Sequence, residues 1–286
     1  VIKAKKRFGQ HFLVNAGIAR RIVNCVSPRP EDVIIEIGAG AGALTRLLVE
    51  RSGYTVAIEL DGELARELKA RLERPNLSII EADALKLDWE WLKESAVNSW
   101  MELSRSAAAR ARIRVVANLP YYISTPIVEK LLKHRDRMHD MTLMLQSEVV
   151  DRIASGPGSR QYGYLSVLVQ LYCHVEKLFE VPPQAFRPAP RVRSAVVRLT
   201  LREREPNQIE DHERFFAVVR AAFAKRRKTI LNSMKASGIA PEAQIERALK
   251  LAGVAPQRRA EELSLDEFAR LANSFIMNPR ARNYER

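Results

Sequence analysis

Glu36-Ile37-Gly38-Ala39-Gly40-Ala41-Gly42 sits between an apolar run, Val33 to Ile37, and a helical pattern that begins near Ala43 with Leu44, Leu47 and Leu48 on one stripe. A buried strand leads into a tight turn there, and a helix leads out. Glycine at Gly38 and Gly40 lets the backbone turn sharply and approach a ligand closely. The same alternation recurs on either side. The strand candidates are Val33 to Ile37, Thr55 to Glu59, Leu77 to Ile80, Ile113 to Ala117 and Thr142 to Leu145, with a helix over Glu63 to Leu72. Apolar runs alternating with helical patterns imply an α/β fold, a parallel sheet wrapped by helices.

Upstream, Ile18, Ile22 and Val23 mark one face of an amphipathic helix that Pro28 and Pro30 close. Downstream, Cys173 to Val181 and Ser194 to Leu201 read as a hairpin-like pair of strands joined through Pro182, Pro183, Pro188 and Pro190. After Pro206 the pattern is wholly helical, over Phe215 to Lys225, Thr229 to Ala236, Pro241 to Leu251 and Leu265 to Phe275. The expected organisation is therefore an α/β domain over residues 1–205 and a smaller all-helical domain over 206–286. The stretch Asp88 to Arg112 reads as a helical surface insertion, with Arg105, Arg110 and Arg112 as candidate RNA contacts.

Of the 286 residues, 47% are apolar, enough for a sizeable core, and the formal net charge is +13. Such a balance suits a partner with a phosphate backbone, because each neutralised phosphate releases condensed counterions. It speaks against an enzyme of small acidic metabolites and carries no information about chemistry. Cys25 and Cys173 lie far apart and form no Cys-x-x-Cys pair, which argues against a zinc site or disulfide scaffold and suits a reducing compartment. With no signal-peptide pattern and no long apolar span, the expectation is a cytoplasmic protein that avoids membranes, with a monomer as the default state.

Glu59 ends the second strand, where an acid accepts hydrogen bonds from a ribose diol. The loop itself serves two cofactor classes, since Gly38-x-Gly40-x-x-Ala43 also satisfies a dinucleotide fingerprint. Asp83, just past the third strand, adds an acceptor for an adenine amino group, in the series generally read in methyltransferases. By itself Asp83 reads equally well as a cap for the next helix.

Asn118-Leu119-Pro120-Tyr121 directly follows the strand Ile113 to Ala117, which puts it beside the cofactor in an open parallel sheet. An adenine amino group is a poor nucleophile because its lone pair is delocalised into the ring. The Asn118 side-chain oxygen and the Leu119 or Pro120 carbonyl form an acceptor pair for both amino hydrogens. That pulls the nitrogen toward tetrahedral geometry and aims its lone pair at a sulfonium methyl. Pro120 stiffens the turn, and Tyr121 is placed to stack on the base. In isolation the tetrapeptide is also an ordinary strand-to-loop turn.

Taken together the motifs resemble the ribosomal RNA adenine dimethyltransferase family, on its bacterial small-subunit branch. The resemblance runs over nearly the whole chain. It is carried by Lys6-Arg7-Phe8-Gly9-Gln10-His11-Phe12-Leu13, Glu36 to Gly40, Asn118 to Pro126, Met144 to Val150, Tyr162 to Val167, Val181-Pro182-Pro183, Phe186 to Val197 and Arg226 to Ser233. It implies a Rossmann-like class I methyltransferase domain and S-adenosylmethionine as cofactor. The implied reaction dimethylates two adjacent adenosines in a hairpin loop near the 3′ end of small-subunit RNA. By the same resemblance His11, Leu13, Gly38, Gly40, Glu59, Asp83 and Asn118 contact the cofactor. His11 and Tyr122 stand where the family often has Asn.

Phe186 carries two readings, a ring that swings over a flipped adenine and a core aromatic that anchors its proline-rich loop. The basic runs Lys5, Lys6, Arg7 and Lys225, Arg226, Arg227, Lys228 are the expected contacts to the ribosomal RNA of the small subunit, which is the expected partner. The competing functions are a large-subunit RNA adenine methyltransferase, a noncatalytic assembly or transcription factor on the same fold, and an NAD-dependent dehydrogenase.

Overall fold

The computed structural model describes residues 5, 9–104, 111–205, 208–225 and 227–275. Its strands are β1 (Phe12–Leu13), β2 (Asp32–Ile37), β3 (Tyr54–Glu59), β4 (Leu77–Glu81), β5 (Arg112–Asn118), β6 (Met138–Gln146), β7 (Cys173–Val181), β8 (Phe186–Arg187) and β9 (Ser194–Leu201). The main sheet has the order β4-β3-β2-β5-β6-β9-β7. From β4 to β6 all neighbours are parallel. Every residue of β2 and β3 is buried, which is why both read as continuous apolar runs rather than as alternating ones.

The chain builds outward from β2 to β3 and β4, then crosses back to lay β5 on the other side of β2. Strand order thus reverses between β2 and β5, and a crevice opens outside their carboxyl ends. β9 runs antiparallel to β6, so the sheet is mixed rather than wholly parallel. An apolar run reveals burial but not direction. β1 and β8 form a separate ribbon with Leu13 opposite Phe186.

The helix Trp89–Ser104 corrects the surface-insertion reading. It buries Trp89, Leu92, Lys93, Ala96, Val97 and Trp100 and packs on β2 and β3, so it is one of the layers that cover the sheet. Even Lys93 is satisfied there, its ammonium donating to the carbonyls of His134 and Asp136 at 2.9 and 2.8 Å. Arg105 and Arg110 lie outside the described residues. Arg112 opens β5 and pairs with buried Asp32 at 2.8 Å. Arg114 joins the same cluster, bonded to Asp32 at 3.1 Å and Asp140 at 2.6 Å. These charges neutralise each other at the amino ends of the strands, away from the crevice.

Two compact units emerge, residues 1–150 with 174–201 and residues 151–173 with 202–286. A single cut near residue 205 therefore does not describe the partition. The helix Tyr164–Tyr172 goes with the C-terminal helices because Tyr164 and Tyr172 meet Phe216 at ring-centroid distances of 6.3 and 6.0 Å. The remaining helices of the second unit, His212–Phe223, Ile230–Ser237, Glu242–Ala252 and Leu265–Ser274, fall within a few residues of the sequence pattern. Among the described residues no helix is long and apolar enough to cross a membrane.

Candidate active site

The carboxyl ends of four strands are in register, with Ile37 opposite both Ile58 and Ala117, and Glu59 opposite Glu81. The segments that follow them meet in one cleft of about 930 Å³, its open mouth included. His11, Leu13, Gly38, Gly40, Glu59, Asp83, the turn Asn118 to Tyr121, and Phe186 all line it.

Gly38 and Gly40 adopt φ of +75° and +54°, the left-handed region that glycine enters without strain. A Cβ on Gly38 would lie 3.4 Å from the Asn118 carbonyl oxygen, and one on Gly40 would lie 3.3 Å from the Phe12 ring. The bare backbone is what lets the strand ends and the N-terminal segment approach each other this closely. Glu59 braces this turn. Its carboxylate accepts from the Gly40 N–H at 2.7 Å and from the Asp61 N–H at 2.9 Å. Burial raises the Glu59 pKa, and those two N–H donors pull it partly back. Glu36, one strand over, is fully buried outside the cleft lining, and burial pushes its carboxyl up to about 8, with the Glu59 charge adding to the shift.

Asp83 lines the cleft and also organises a turn, accepting from the Leu85 N–H at 3.0 Å. The cap of the following helix is Asp88, which receives the N–H groups of Glu90 and Trp91 at 3.0 and 3.1 Å. Among the described residues the second carboxylate oxygen of Asp83 accepts no such bond.

The Asn118 side-chain N–H donates to the His11 carbonyl at 3.4 Å. Tyr121 is stacked on the His11 imidazole at 5.7 Å, and its hydroxyl pairs with Ser194 at 2.8 Å. The imidazole in turn bonds through Nδ1 to the Pro188 carbonyl at 2.7 Å, which requires Nδ1 to carry the proton. The His11 carbonyl thus engages Asn118 while its side chain joins Tyr121 to the proline-rich loop. Phe186 is 3% exposed and packs with Leu13, Ile22, Leu44 and Val196. Its strand pairing and burial fit the anchoring reading, and a swing would have to break both.

Of the basic residues, Lys6, Arg7 and Arg226 lie outside the described residues. Lys5 bonds Asp61 at 2.8 Å and Glu63 at 2.6 Å, which ties the N-terminal segment to the turn after β3. Lys225, Arg227 and Lys228 are exposed in the turn between the helices His212–Phe223 and Ile230–Ser237. Sequence reasoning alone passes over Gln10 and Asp61, which bond each other at 3.4 Å beside the cleft. Asp61 was detectable as a helix cap, since it accepts from the Glu63 N–H at 3.2 Å.

A glycine turn and a following acid serve a dehydrogenase as well as a methyltransferase. The Asn118 turn lies across the strand-order reversal from the glycines, and the molecule is a Rossmann-like class I methyltransferase with a helical C-terminal part. Comparison narrows the class. The family model described as ribosomal RNA adenine dimethylase matches residues 1–277, and the chain belongs to that family. A protein called ribosomal RNA small subunit methyltransferase A, from Shouchella clausii (strain KSM-K16), is 43% identical over 273 residues, covering 94% of this chain and 89% of the relative. Among solved structures, a dimethyladenosine transferase from Plasmodium falciparum superposes with a TM-score of 0.70 at 24% identity, over 91% of this chain and 96% of that one. The 23S rRNA methyltransferase ErmE gives a TM-score of 0.66 at 24% identity, over 92% of this chain and 99% of that one. These two structural likenesses speak for the fold alone.

Proposed function

We propose that the protein uses S-adenosylmethionine to dimethylate the exocyclic amines of two adjacent adenosines in a hairpin loop near the 3′ end of small-subunit ribosomal RNA, acting in the cytoplasm. The observation that carries this reading is the convergence of Gly38, Gly40, Glu59, Asp83 and Asn118-Leu119-Pro120-Tyr121 on one cleft. The donor set fits the cofactor. The glycine backbone offers close approach, Glu59 a carboxylate for ribose hydroxyls, and Asp83 a free oxygen for the adenine amine. S-adenosylmethionine supplies an electrophilic methyl group.

The protein's own part is alignment. With its N–H engaged by His11, Asn118 presents its side-chain oxygen as an acceptor for one amino hydrogen. The Pro120 carbonyl already receives the Ile123 N–H at 3.2 Å and the Ser124 hydroxyl at 3.4 Å. The Leu119 carbonyl is therefore the acceptor for the second hydrogen. Held by both, the amine nitrogen is drawn toward tetrahedral geometry with its lone pair aimed along the line of transfer. Once alkylated, the nitrogen sheds its proton to water, so no general base is required beforehand. Lys225, Arg227 and Lys228 contribute phosphate contacts that position the RNA.

The test is transfer of labelled methyl groups to undermethylated small ribosomal subunits, with large subunits and Asn118→Ala alongside. Label on adjacent adenosines of the small subunit, lost in the variant, is expected. Label on the large subunit alone would move the substrate, and tight binding without label would leave a noncatalytic assembly factor.

A further inference from the structure

We propose that Tyr122 is a stacking platform for the nucleotide next to the adenosine undergoing transfer, an inference that rests on the function proposed above. Tyr122 lines the cleft yet is 58% exposed, and among the described residues it is the only aromatic that combines the two. An exposed tyrosine is usually an ordinary surface residue. The surroundings of this one set it apart.

Its neighbour Tyr121 is committed, with the ring against His11 and the hydroxyl on Ser194, so Tyr121 serves only a base that has entered the cleft. Tyr122 has no such engagement among the described residues. Its ring lies against the Gly9 backbone. At φ +57°, Gly9 passes so close that a Cβ there would sit 3.2 and 3.3 Å from Cδ1 and Cε1 of the ring. One edge of the ring is therefore covered, and its exposed face is offered at the cleft mouth.

The reaction itself creates the need. Extruding the target base from its stack leaves the adjacent base without a stacking partner. An aromatic face at the cleft mouth restores that stacking, and any base accepts it because every base has a π-face. With two adjacent adenosines as substrate, whichever is not in the cleft lies at its mouth. Tyr122 thereby holds the RNA while the two exchange places.

The experiment compares Tyr122→Ala, Tyr122→Asn and Tyr122→Phe with the wild type in methyl transfer to undermethylated small subunits. It reads KM for subunits, KM for S-adenosylmethionine, and the distribution of methyl groups over the two adenosines by mass spectrometry. The Ala and Asn variants should raise the subunit KM about five-fold or more. They should also leave one adenosine incompletely methylated while the cofactor KM holds. Tyr122→Phe should restore both properties, because the ring and not the hydroxyl acts. A wild-type subunit KM and product pattern in Tyr122→Ala would overturn the inference, as would a cofactor KM that rises in step with the subunit KM. If the wild type transfers nothing to small subunits, the proposed function falls first and this inference with it.

Discussion

The side-chain amide of Asn118 donates to the main-chain carbonyl of His11 at 3.4 Å, so a residue at the end of β5 is oriented by the N-terminal segment, which also lines the cleft. The bond fixes which end of the amide is left for the substrate. Asn118→Ala should lower kcat by about 100-fold or more, since misalignment on the ångström scale already costs that much. Cofactor affinity should change little, measured by titration calorimetry. An equal loss of kcat and cofactor affinity would show that Asn118 mainly builds the cofactor site.

Glu59 accepts two backbone N–H groups at the turn, from Gly40 and Asp61. Glu59→Gln replaces one acceptor oxygen by a donor that faces an N–H. Leaving one such buried group unpaired costs about 1–3 kcal/mol. Both urea stability and S-adenosylmethionine affinity should fall, the affinity by about ten-fold. A variant that loses affinity without stability would place Glu59 on the ligand alone.

Phe186→Ala should act on folding before it acts on chemistry. The ring is 3% exposed in the cluster with Leu13 and Val196, and removing such a core aromatic costs about 3–5 kcal/mol. Denaturation midpoints should drop sharply. Unchanged stability with a slowed transfer step would instead favour a mobile ring that stacks on the substrate.

Glu36 predicts a pH dependence of stability. Burial raises its carboxyl from 4.5 to about 8 in the folded chain. Between those values the folded state holds a proton that the unfolded state has released. The stabilisation is therefore fully present below the unfolded value and is lost as pH rises toward about 8. Urea midpoints should decline from pH 5 to pH 8.5 in the wild type and flatten over that range in Glu36→Gln. Parallel profiles would mean that another group is responsible.

Lys225, Arg227 and Lys228 are exposed in one turn. If each neutralises a phosphate, subunit binding should weaken steeply with salt. Each alanine substitution should reduce the slope of log affinity against log salt by roughly one. A slope indifferent to all three would put the RNA on another surface.

The glycine turn, Glu59, Asp83 and the Asn118 turn were legible because each is local chemistry at the end of an apolar run. Once the runs are parallel neighbours, their ends have to meet. The helices of the C-terminal segment were equally legible, since a 3.6-residue stripe is written into consecutive positions. Helices Ser124–Lys133, Ser147–Ala154 and Tyr164–Tyr172 carried motifs that drew attention to function and not to periodicity.

What the sequence determined by itself is the α/β plan, the carboxyl-end cleft and the kinds of residues that line it. Only the tertiary structure decided that β9 runs antiparallel, that residues 151–173 go with the helical unit, and that the helix Trp89–Ser104 is buried against the sheet. It also paired Lys5 with Asp61 and Arg112 with Asp32, and put Phe186 into the core. The physical reason is common to all of these. Periodicity and turn chemistry act between residues a few positions apart, whereas strand direction, ion pairing and burial depend on groups tens of residues away that meet only when the chain has folded.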